Sequence, residues 1–72
     1  MEFEYAGGII RIDTEEIFEQ CLVWDCTETD DIYEMVVMRV YSCPNIYSHI
    51  ENWMIEKVTE EVKKMIDKEF KI

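Results

Sequence analysis

The chain has 72 residues, 49 % hydrophobic and 12 % aromatic, with a formal net charge of −10 and three cysteines. That length allows one small domain (1–72), marginally stable because only about 60 % of the unfolded surface can be buried, while the aromatic content argues against disorder. The composition excludes a membrane span, which needs roughly 20 consecutive apolar residues, and disfavours direct binding to nucleic acid, whose phosphates the chain's own field repels.

Residues 2–12 read as a β-hairpin. Gly7-Gly8 suits a two-residue type I′ turn with positive φ at both positions. The register that follows puts Phe3, Tyr5, Ile10 and Ile12 on one face and a Glu4–Arg11 ion pair on the other. A second hairpin is expected over 17–26 and 32–41, both arms being rich in β-branched and aromatic residues around the polar loop 27–31. Pairing Cys26 with Ile32 brings Glu19 opposite Arg39. The rival reading is a helix over 14–24, with Asp13 and Glu16 as a capping box and Ile17, Cys21 and Trp24 at helical spacing. The strand reading is the one adopted.

The C-terminal segment reads as a helix. Pro44 and Asn45 mark its approach, and Ser48 with Glu51 fits a capping box. Ile50, Met54, Val58, Val62, Met65 and Ile66 form its apolar stripe. Lys57–Glu61, Glu60–Lys64, Lys63–Asp67 and Asp67–Lys71 are i,i+4 pairs. The expected fold is therefore α+β: a four-stranded antiparallel sheet of two β-hairpins packed on one long C-terminal helix, in the order ββββα. One helix covers one sheet face only. Ile17, Cys21, Val23, Met35, Val37 and Tyr41 would line the uncovered face, an expected self-association surface that predicts a homodimer or a stable complex through it.

The charge is segregated. Residues 1–36 hold eleven acids and one base, Arg11; residues 37–72 hold six of each. A solubility role predicts acids interspersed with bases, whereas concentrated like charge destabilises a compact domain unless its field is used. Glu15, Glu16, Asp25, Glu28, Asp30, Asp31 and Glu34 lack a basic partner in the registers above. On a strand, side chains on one face repeat every ~7 Å, a spacing that can imitate an array of phosphates. Trp53 lies off the apolar stripe; it is expected to cover the sheet edge, and the other reading makes it an interface anchor among the partner-binding residues.

Catalytic and metal signals are weak. Cys21, Cys26, Cys43 and His49 are four potential zinc ligands, but C-x4-C with C-x5-H is at the edge of the usual spacing, and positions five apart point away from each other on a strand. Asp25, Thr27, Thr29, Asp31 and Tyr33 alternate as in a calcium loop, yet Asp30 stands where Gly is needed and Val36 where a bidentate Glu is needed. No metal, cofactor or enzymatic activity is expected. The odd cysteine count, and Glu-Phe-Glu after Met1, fit reduced thiols in a cytoplasm.

The function expected is that of a small acidic inhibitor, a DNA mimic that occupies the basic nucleic-acid-binding surface of a partner protein. By composition it is analogous to bacteriophage proteins that act on host nucleoid or defence proteins. An antitoxin or immunity protein against a basic nuclease is the alternative, followed by a structural homodimer whose charge aids solubility.

Overall fold

The computed structural model describes residues 1–5, 7–42 and 50–70. The hairpin is present: β1 (Glu2–Tyr5) pairs antiparallel with β2 (Gly8–Arg11). Its register differs from the expected one by two residues, with Phe3 opposite Ile10 and Tyr5 opposite Gly8. Gly7 alone carries a positive φ among the described glycines, at 80°, so the bend falls one residue earlier than the Gly7-Gly8 turn requires. A shift of two keeps every side chain on its face. Phe3, Ile10 and Ile12 are accordingly buried, as expected. The ion pair changes hands: Arg11 Nε meets Glu2 at 2.9 Å, and Glu4 stands opposite Ile9. The ladder continues one step further, since Ile12 N–H donates to the Met1 carbonyl at 2.9 Å.

The second hairpin does not exist. Its two arms are helices, α1 (Thr14–Val23) and α2 (Thr29–Tyr41), so the four-stranded sheet and the ββββα order give way, among the described residues, to a two-stranded hairpin and three helices. The helical rival for 14–24 was the correct reading. Asp13 is the N-cap of α1, its carboxylate accepting from Glu16 N–H at 3.1 Å. Ile17 and Cys21 are its buried residues; Trp24, the third position of the expected helical stripe, is 69 % exposed.

The end of α1 has a definite geometry. Asp25 takes φ 54°, Cys26 N–H donates to Cys21 C=O at 2.8 Å, and Asp25 N–H donates to Leu22 C=O at 3.4 Å. These are the two bonds of a Schellman motif, in which the chain turns back over the last helical turn. That reversal, not a hairpin loop, is what residues 24–28 encode. α2 then starts at Thr29 with Glu28 as N-cap.

α3 (Asn52–Glu69) is the expected C-terminal helix. It buries Met54, Ile55, Val58, Thr59, Val62 and Ile66, and the Thr59 hydroxyl donates to Ile55 C=O at 2.8 Å, which satisfies the one polar group in that row. Its N-cap is Glu51; Pro44, Asn45 and Ser48, like Cys43, His49 and Lys71, lie outside the described residues. Asp67 pairs with Lys63 at 3.0 Å. α1 and α2 both pack on α3 and on each other, around a core shared by Ile17, Cys21, Ile32, Val36, Val40 and the α3 stripe. The hairpin joins that core through Phe3, Ile10 and Ile12.

Candidate acidic interaction surface

The helices regroup the expected site residues. Glu15 and Glu16 lie in the first turn of α1, Asp30 and Asp31 in the first turn of α2, and Glu28 caps α2. Carboxylates at these places interact favourably with the positive end of a helix. A local structural role therefore accounts for part of the acidity. Glu16 also has a basic partner after all: its carboxylate contacts the Arg39 guanidinium across the α1–α2 packing. Arg39 was expected opposite Glu19 in a strand register that the helices abolish.

Asp25, Glu28, Asp30, Asp31 and Glu34 come together at the corner between α1 and α2. All five are exposed, and among the described residues none is in an ion pair. They do not form the strand-spaced array expected of them, because 29–34 are helical. Asp31 and Glu34 are one turn apart on α2, about 5–6 Å between Cβ atoms. On the α3 side, Glu56 and Glu60 face Thr29 and Tyr33 across a cleft of about 200 Å³, so further carboxylates border the corner. Lys63 reaches the edge of this corner but pairs with none of its acids: Nζ donates to Thr27 C=O at 2.9 Å and pairs with Asp67.

Two thiols lie beneath this corner. The Schellman turn folds Cys26 back towards Cys21, near enough for each to act on the other electrostatically, while the Cys26 thiol donates to the Trp24 carbonyl at 3.8 Å. Burial pushes the Cys21 thiol up to about 11, with the neighbouring Cys26 adding to the shift. Cys26 is also raised, by desolvation first and then by the Asp31 carboxylate, with Asp25 and Glu34 contributing. Both cysteines are free. Among the described residues no group of three or more His, Cys, Asp or Glu could hold a metal ion. The calcium-loop pattern is broken by α2, which takes Thr29, Asp31 and Tyr33 into a helix.

The expected self-association face is dispersed. Ile17 and Cys21 are in the core, Met35 and Val37 are half-buried against it, and Val23 and Tyr41 are exposed on different helices. Trp53 is likewise not a free anchor. Its ring meets Phe3 edge-on at 5.5 Å, and its indole N–H donates to the Glu51 carboxylate, so it fastens α3 to the hairpin. It remains 46 % exposed.

Two residues were missed. Trp24 and Met38 are 69 % and 67 % exposed and line one groove of about 540 Å³, together with Gln20, Cys26, Met35 and the acids Asp31 and Glu34. The signal was present in the sequence. Read as a helix, 31–38 places Asp31, Glu34, Met35 and Met38 on one face at i, i+3, i+4 and i+7. No helix among the described residues is long and apolar enough to cross a membrane. No family model matches the chain, and neither the curated proteins nor the solved structures contain a significant match to it.

Proposed function

We propose that this chain is an acidic binding protein that covers the basic, nucleic-acid-binding surface of a partner protein and thereby inhibits it, acting in the cytoplasm. The carrying observation is the pair Asp25 and Glu34. The other corner acids serve helix N-termini, but these two do not. Asp25 follows the C-terminal end of α1, where a negative charge opposes the helix dipole, and it does so at a positive φ. Glu34 lies in the second turn of α2, beside Asp31 and Asp30. Like charge held at local cost supports a use for the field: steering a basic partner and complementing it on contact. The free thiols fit a reducing compartment.

The test uses Asp25→Asn with Glu34→Gln, which removes charge without touching a helix N-cap and leaves at position 25 a residue that accepts a positive φ. The wild-type chain, immobilised, is exposed to nuclease-treated cell lysate. Proteins it retains should elute with salt and be displaced by duplex DNA, and the double variant should retain less of them while melting no lower than wild type. Retention that duplex DNA does not displace, or that the double variant leaves unchanged, would refute the reading.

A further inference from the structure

We infer that the groove between α1 and α2 is the seat of a cationic amphipathic segment of the partner, a helix whose one large apolar side chain enters between Trp24 and Met38 while its Lys or Arg residues meet Asp31 and Glu34. The inference rests on the acidic reading above and narrows it: recognition is through an apolar anchor as well as charge. Four observations on the groove agree. Its volume of about 540 Å³ is enough for a large side chain and its flanks. Trp24, Met35 and Met38 line it, and methionines adapt their shape to what they hold. Two exposed residues this apolar, side by side on neighbouring helices, leave surface that water covers poorly. The rim is acidic on the α2 side, with Asp25 near its Cys26 wall and no cation among the lining residues.

A phosphate-like surface alone does not need the apolar lining. A purely apolar partner would leave Asp31 and Glu34 facing no countercharge. The complement of both is a segment with basic residues one turn either side of an apolar one. Helix-in-groove recognition has this pattern.

The experiment uses two synthetic Lys-rich helical peptides of about 18 residues, equal in charge and free of Trp, one with Leu and one with Ala on the apolar face. The chain carries two tryptophans, so Trp53→Phe leaves Trp24 as the sole reporter and keeps an aromatic ring against Phe3. The Leu peptide should bind roughly tenfold or more tighter than the Ala peptide, with a blue shift of Trp24 emission confined to the Leu peptide. Met38→Ser should bring the two affinities to within about threefold. Ile9→Ser, at a site on the hairpin that is 59 % exposed, should leave the gap intact. Equal affinities on the intact groove, or a gap that survives Met38→Ser, would overturn the inference while leaving salt-dependent binding of both peptides as support for the acidic reading. Binding of either peptide that is insensitive to salt would overturn both.

Discussion

The segment from Asp13 to Tyr41 and the helix α3 share one core, yet they meet solvent very differently. From Asp13 to Tyr41 there are nine acids and one base, Arg39; from Asn52 to Glu69 there are five acids and four lysines. α3 buries Met54, Ile55, Val58, Val62 and Ile66 in one row, its exposed Trp53 sits against Phe3, and Lys63–Asp67 closes a turn of its outer face. α1 and α2 bury Ile17, Cys21, Ile32, Val36 and Val40 but leave Val23, Trp24, Met38 and Tyr41 out. The difference teaches a division of labour. α3 is built as the surface against which the fold is assembled. The α1–α2 pair uses one side for that assembly and keeps the other unsatisfied in both charge and apolar surface.

Two methionines break or confirm this division most sharply. Met54→Ala, in the α3 row at 0 % exposure, should cost about 2–5 kcal/mol, a large share of the stability of so small a domain. Met38→Ala should stay within about 0.5 kcal/mol. Urea unfolding of the two variants reads the contrast directly. Comparable losses would mean that the α1–α2 outer face is structural after all.

The halves should also part with pH. A folded-state thiol raised from 9.0 to about 11 holds its proton where the unfolded chain has begun to lose it. The folded state then binds more protons, so stability falls as pH rises from about 9 towards 11 and is unaffected by this group below 9. The loss at about pH 10 should be on the order of 1 kcal/mol. Cys21→Ala should flatten this part of the urea-midpoint profile, and a profile unchanged by that substitution would show that Cys21 is not the source. The third contrast is smaller and lies within the acids themselves. Asp13→Ala removes a cap hydrogen bond and should cost about 0.5–2 kcal/mol. Glu28→Ala removes only a charge near a helix start, about 0.3–1 kcal/mol. Thermal melts that rank these two the other way would show that α1 does not depend on its cap.

The same two regions were unequally legible. α3 was clear because Met54, Val58, Val62, Met65 and Ile66 mix steps of three and four, which only a helix brings to one face. The hairpin was clear because a glycine turn and alternating residues agree, and its face assignment survived a register error because the error was even. α1 and α2 were misread for a definable reason. Ile17 and Cys21, and Ile32, Val36 and Val40, repeat every four residues, and four fits both a strand's period of two and a helix's near 3.6. β-branched content then tipped the reading towards strands. Asp13 with Glu16 was the signal that should have prevailed, since a cap has no counterpart in a hairpin arm. The acids were found individually, but their grouping was not, because the corner exists only through the α1 Schellman turn. Trp24 and Met38 could not be paired while 17–26 and 32–41 were laid out as sheet.

Position 25 has a consequence for how such a chain would respond to selection. Its backbone, at φ 54°, is one that glycine or asparagine adopts with less strain. A search for thermal tolerance alone, with no demand on binding, should therefore find Asp25→Gly or Asp25→Asn early, and each would reduce the net negative charge from −10 to −9. A search that also demanded binding should leave the aspartate in place. The outcome at this single codon would report which of two pressures, durability or recognition, the corner answers to.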